Sequence, residues 1–255
     1  MHLEPTITYT VRPRPLPRES TLGYLQRVAS ANGLGSVGQL FASLRSRHQG
    51  AFDELCARLR LSDEERALLF GSLPAQWNHP DIPLGLEHAD FNSTHGRWCP
   101  LCLREGGVLP GQWTLKLVCS CPKHGTWLKE SCSRCGANLG WSEVAQSEGQ
   151  CPCGACLMDD DTEEAGGDAQ ALTLLLCGDS SGMGRLACLS GLSTPAIHRL
   201  VRYLGPFQAT TRPPHPGQTL EVHRLDVARG LVTGAASLLA NWPTNFHLKI
   251  SDIQK

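Results

Sequence analysis

The sequence predicts an α+β chain in which mainly small helical bundles flank a central β-rich region, with helix-turn-helix-like helices at the C-terminus. Three observations carry this. Nine of the twelve cysteines fall between Arg97 and Leu157, in paired spacings. Outside that stretch, apolar residues recur at helical intervals behind capping residues. Within it, Trp113, Leu115 and Leu117 alternate with Thr114, Lys116 and Val118, a period-two pattern of a strand.

A length of 255 residues allows one large domain or two to three small ones, and 41% apolar with 6% aromatic residues suffices for modest cores. The formal charge of −1 supplies no global basic field, so any nucleic-acid contact must come from a local patch. The apolar run from Ala171 to Cys177 is too short to span a bilayer. The opening MHLEPTITYT has neither the charged nor the apolar region of a secretion signal. The chain reads as soluble and cytoplasmic.

Residues 1–96 form the first region. Pro5, Pro13, Pro15 and Pro17 keep its start extended. Ser20 or Thr21 caps a helix whose apolar positions are Leu22, Leu25, Val28 and Ala29, stopped by Asn32 to Gly35. Ser36 with Gln39, and Ser62 with Glu65, are capping-box pairs. Val37, Leu40, Phe41 and Leu44, and again Phe52, Leu55, Cys56 and Leu59, follow helical spacing, so residues 19–72 read as a short-helix bundle with Cys56 in its core. A loop from Leu73 to Arg97 follows, anchored by Trp77 and Phe91. Its His79, His88 and His95 share no regular spacing and read as surface or packing residues.

Residues 97–158 carry the chemistry. Cys99 and Cys102 form C-x2-C, answered after 18 residues by Cys121 and His124 as C-x2-H. Cys132 and Cys135 form a second C-x2-C, answered after 15 residues by Cys151 and Cys153 as C-x-C. Two half-sites, one from each end of a loop, complete a tetrahedral zinc site. The spacing therefore predicts one three-cysteine-plus-histidine site and one four-cysteine site in a small ribbon-like fold that depends on its metal. In a reducing compartment dense cysteines favour metal over disulfides, and a redox C-x-x-C would need only one motif. Two complete ligand sets leave no open position for catalytic zinc. Cys119 is an alternative to Cys121, and Cys156 to Cys151. Gly125 to Lys129 is placed to pair with the predicted strand as a hairpin.

Residues 159–170, DDDTEEAGGD and two more, read as an acidic linker and solvated hinge. Residues 171–255 read as helical. Ser193 or Thr194 caps a helix with Ile197, Leu200, Val201 and Leu204 on its apolar face, ended by Gly205 and Pro206. Ala187, Gly191 and Ile197 fit the spacing of a helix-turn-helix, which turns Thr194, His198, Arg199 and Arg202 outward as candidate DNA contacts. A last helix carries Val227, Leu231, Val232, Ala235, Leu238 and Leu239, with Trp242 and Phe246 docking on it.

Three stretches resemble the TniQ proteins of heteromeric transposons, relatives of the target-site protein TnsD. The first is PLPRESTLGYLQRVASANG near the N-terminus. The second runs from RWCPLCL through CPKHGTWL to CSRCGANL and CPCGACL, and the third is NWPTNF. The resemblance covers essentially the whole chain and is strongest from Glu19 to Leu157. It implies the same two zinc sites, on Cys99, Cys102, Cys121 and His124 and on Cys132, Cys135, Cys151 and Cys153. It also implies no chemistry of the chain's own. Members of that family select or mark a target site and recruit an AAA+ transposition ATPase, which brings a DDE transposase. Some relatives are carried to DNA by an RNA-guided CRISPR effector complex; others read target DNA themselves. The reading admits a homodimer and no membrane partner. A zinc-containing helix-turn-helix transcription regulator is the alternative, and a metallo-enzyme lacks an open ligand set beside Glu130, the only acid between the second and third half-sites.

Overall fold

Local sequence signals place the helices of the N-terminal half. The structure is a computed structural model that describes residues 9–16, 19–44, 49–70, 85, 86, 88–92, 95–106, 109–146, 149–209 and 221–254. The expectations for Pro5, Pro17, Trp77 and His79 lie outside these residues. Helix α1 spans Thr21–Ala31, α2 Val37–Ala42, α3 Gln49–Leu59 and α4 Asp63–Phe70. Ser20 Oγ accepts from Gly23 N at 3.0 Å, which makes Ser20 the cap of α1. Ser36 Oγ accepts from Gln39 N, while the Gln39 side chain reaches back one residue further, to Gly35 N. At α4 the box is reciprocal: Ser62 Oγ accepts from Glu65 N, and Glu65 Oε2 accepts from Ser62 N at 2.9 Å. Each such cap stabilises its helix by about 1 kcal/mol.

The buried faces of these helices meet in one cluster that includes Tyr9, Tyr24, Val28, Leu40, Leu55 and Leu69. Cys56 is buried, as the spacing predicts, and burial pushes its thiol pKa up. The extended segment before α1 is pinned by Glu19, whose buried carboxylate accepts from Arg27 Nε and Nη2 at 2.8 and 2.7 Å. Ser20 N donates to Leu109 O at 2.9 Å, so the bundle is tied to the next region.

Beyond it come α5 (Pro100–Arg104), α6 (Trp141–Gln146), α7 (Gly167–Leu176), α8 (Thr194–Ala209), α9 (Leu225–Leu239) and α10 (Thr244–Ile253). The predicted β-rich ribbon is not what forms. Among the described residues, β pairing consists of isolated bridges, and three of them close the metal-ligand turns: Ser120 with Trp127, Ser131 with Asn138, and Gln150 with Cys156. The predicted strand at 113–118 begins instead as a 3-10 turn, Gly111–Thr114. Beyond that turn the chain is drawn to Arg97, which is fully buried. Arg97 Nη1 donates to the carbonyls of Leu115, Lys116 and Val118 at 3.1, 2.8 and 2.9 Å. Three carbonyls turned toward one guanidinium cannot also point sideways into a ladder.

The acidic segment is exposed at residues 159 and 161–164, yet it is tied to its neighbours. Asp160 is buried and accepts from Trp98 Nε1 at 3.3 Å and from Ser133 Oγ. Ala165 N donates to Gly125 O, Trp127 N donates to Glu163 O, and the Glu163 carboxylate holds Arg229 at 2.9 Å. That guanidinium lies 4.3 Å from the Trp127 ring centroid, a cation–π stack. The segment is a strap, and one hydrophobic cluster runs through it from Phe91 to Leu239.

Two expectations for the C-terminal half are corrected. The residues before Gly191 form short 3-10 turns, Ser180–Gly184 and Ala187–Leu189, so the first helix of a helix-turn-helix is missing there. Glycines at 178, 182, 184 and 191 explain this, since each weakens a helix by about 1 kcal/mol. Conversely, α8 does not end at Gly205 and Pro206 but runs through them to Ala209. Burial of Phe207 and close packing on α9 outweigh the breaking residues. Trp242 and Phe246 stack at 5.1 Å, yet Phe246 packs on the core while Trp242 stays 45% exposed. No described helix is long and apolar enough to cross a membrane.

α8 and α9 approach closely at Gly205, because a Cβ there would lie 2.5 Å from Leu231 O. Gly205→Ala should therefore destabilise the protein by about 1–3 kcal/mol in chemical denaturation, although alanine is the better helix former. A gain of stability would mean that the two helices do not touch at this point.

Candidate metal centres

Three of the four ligand turns are built the same way. Ligands sit at Cys121 and His124, at Cys132 and Cys135, and at Cys151 and Cys153, each pair followed by a glycine with positive φ: Gly125 at 67°, Gly136 at 71° and Gly154 at 81°. Only glycine adopts that conformation without strain, and it lets the chain reverse directly behind the second ligand. Gly125 N, Gly136 N and Gly154 N then donate to the carbonyls of Cys121, Cys132 and Cys151 at 2.8–2.9 Å. The Cys99–Cys102 pair differs: Cys99 caps α5, Pro100 starts it, and Cys102 lies one turn in.

These turns bring the predicted residues into two groups. In the first, one ligand atom each from Cys99, Cys102, Cys121 and His124 lies within 4.8 Å of the others. In the second, Cys132, Cys135, Cys151 and Cys153 do the same. Each group could hold a metal ion. Ligands placed tetrahedrally at about 2.3 Å for sulfur and about 2.0 Å for nitrogen stand about 3.8 Å apart for sulfur pairs and about 3.5 Å for sulfur to nitrogen. Here Cys102 and Cys121 are 3.6 Å apart, Cys132 and Cys153 3.8 Å, and Cys135 and Cys151 3.7 Å. His124 Nδ1 is 3.3–3.6 Å from the three sulfurs of its group. Those separations fit a shared cation and are far too long for a disulfide of about 2.05 Å.

The alternatives among neighbours resolve. Cys121 and Cys151 join the groups; Cys119 and Cys156 do not. Cys119 is wholly buried in the apolar core, which raises its thiol pKa to about 12. In the first group, hydrogen bonds from Cys102 and Cys121 push the Cys99 thiol pKa far down, while hydrogen bonding with Cys121 and Cys99 drives that of Cys102 far up. Three adjacent thiolates need a cation to coexist. In the second group the Cys135 backbone amide helps to draw Cys132 down to about 7.

Glu105 has no spacing signal in the sequence and is absent from the predicted ligands. It follows α5, and its Oε1 lies 3.1 Å from His124 Nε2, the nitrogen facing away from the sulfurs. Lys123 bonds the other carboxylate oxygen, and both partners lower the Glu105 pKa. A carboxylate behind a ligating imidazole fixes its tautomer and ring orientation. The first group is largely buried, whereas Cys135 and Cys153 are exposed.

Residues 10–128 match the TniQ family model. The chain carries a TniQ region. The TniQ match takes in the whole first ligand group and stops before Cys132. TniQ implies an adaptor role associated with transposition. No curated protein matches the chain.

The four candidate DNA contacts do not share one outward face. His198 is 1% exposed, and its Nε2 lies 2.9 Å from Leu176 O, with burial lowering its pKa. Arg202 is paired with Asp90 at 2.6 Å. Thr194 is half-buried, and Arg199 alone of the four is exposed. His198 is thus a packing residue between α7 and α8, a correction to its predicted role. The helical pattern missed this because α7 covers part of the face that α8 would show to DNA.

Two tests follow. Cys121→Ser should lower bound metal by one equivalent per chain, while Cys119→Ser keeps both, as elemental analysis would read. Glu105→Gln should weaken metal binding at the first site by about 10- to 100-fold in chelator competition and leave the second unchanged. Equal affinity would reduce the Glu105–His124 contact to surface decoration.

Proposed function

We propose that this chain is a non-enzymatic adaptor for DNA transposition that helps select or mark a target site and recruits an AAA+ transposition ATPase, and through it a DDE transposase. The TniQ match over residues 10–128 carries this reading. The two ligand groups support it chemically. Each supplies four cysteine or histidine donors, the set of a structural zinc ion rather than of a catalytic one with an open position. Zinc, when bound, cross-links short turns that cannot bury enough surface to hold themselves. The residues then do what a docking platform requires: Gly125, Gly136 and Gly154 turn the loops, and Glu105 orients His124.

An RNA-guided effector complex, target DNA and a second copy of the chain are further candidate partners of such an adaptor. Direct DNA reading through α8, the basis of a transcription regulator, has less support, because His198 is buried and Arg202 is already paired.

Full-length protein with two zinc ions should capture an AAA+ ATPase encoded beside it, in a nucleotide-dependent pull-down. Specific duplex binding without any ATPase capture would favour the regulator instead.

A further inference from the structure

The N-terminal bundle holds a cleft of about 340 Å³ apart from both metal centres, lined by Arg12, Pro13, Arg14, Leu59, Arg60 and Leu61. Three of the six are arginines, and none is acidic. Arg14 is 73% exposed and bonds Glu65 at 2.6 Å across its outer edge. Among the described residues, neither Arg12 nor Arg60 makes a side-chain hydrogen bond or ion pair, although Arg12 is half-buried. Their donors are therefore open to an acceptor that a ligand brings.

Arg60 adds a second observation. It follows the last residue of α3 with φ 53°, the one positive-φ residue other than glycine among the described residues. Leu61 N closes the turn on Cys56 O at 3.0 Å. Glycine is the inexpensive residue at such a helix end, so an arginine held there against backbone strain points to use of its side chain.

We propose that Arg12, Arg14 and Arg60 form a phosphate-binding cleft that takes a backbone phosphate of a nucleic-acid strand. Three guanidinium side chains line this one small cleft, and such planar forks suit a tetrahedral anion with several free oxygens. Pro13, Leu59 and Leu61 supply an apolar floor against which a sugar can lie. The chain's net charge of −1 makes such contact local, carried by this cleft and not by the whole surface. It is independent of ATPase recruitment and of α8.

The test is fluorescence anisotropy of the full zinc-loaded chain with a short labelled single strand and a duplex, across a salt series. Arg12→Gln with Arg60→Gln should weaken binding about tenfold for any sequence and lower the log–log salt slope by about 1. Arg60→Gly relaxes the backbone while removing the guanidinium. It should weaken binding without lowering the melting temperature, which keeps the test sound if the double variant unfolds. Unchanged affinity and slope in both variants would overturn the proposal. So would variants that lose binding to an acidic polyglutamate peptide while keeping nucleic-acid binding, which would assign the cleft to a protein partner.

Discussion

Four electron-rich ligand atoms within 4.8 Å of one another, twice over, is the constraint around which the centre of this protein is organised. Thiolates repel, and imidazole lone pairs do not attract them, so a cation shared by each group would relieve this crowding. Everything near the ligands serves that condition. The turns are short, and three of the four reverse on glycines and are held closed by isolated bridges. Extended sheet would add little here, because the metal ligands replace the cross-strand contacts that a small unit otherwise needs.

The second organising charge is Arg97. A buried guanidinium is ordinarily neutralised by a carboxylate. This one is surrounded by main-chain oxygens, from Leu115, Lys116, Val118 and His223. Burial lowers its pKa, yet arginine stays protonated. Its Nη1 and Nη2 therefore act as a fixed plate on which a loop and a distant segment are laid. Its position next to Trp98 and Cys99 sets the first ligand turn against both.

What was legible in the sequence was local. Ser20, Ser36 and Ser62 cap helices with neighbours three residues away, and the cysteine pairs define turns within four residues. What was illegible depends on distant partners. The alternation at 113–118 has strand character, but Arg97 curls it; the helix-breaking pair Gly205–Pro206 is overridden by α9; the acidic run meets Trp98, Ser133 and Arg229. Glu105 becomes meaningful only once His124 is folded beside it.

The reach of Arg97 also sets a clock for assembly. Its bond to the His223 carbonyl spans 126 residues, whereas the α1–α4 bundle is closed by contacts among residues 9–70. On a growing chain the bundle can complete itself early, since near contacts cost little loop entropy. The ligand turns can likewise capture their ions as soon as Cys153 emerges. Nη2 of Arg97 must wait until His223 is made, so the segment just before α9 is the closing stitch of a fold begun some hundred residues earlier.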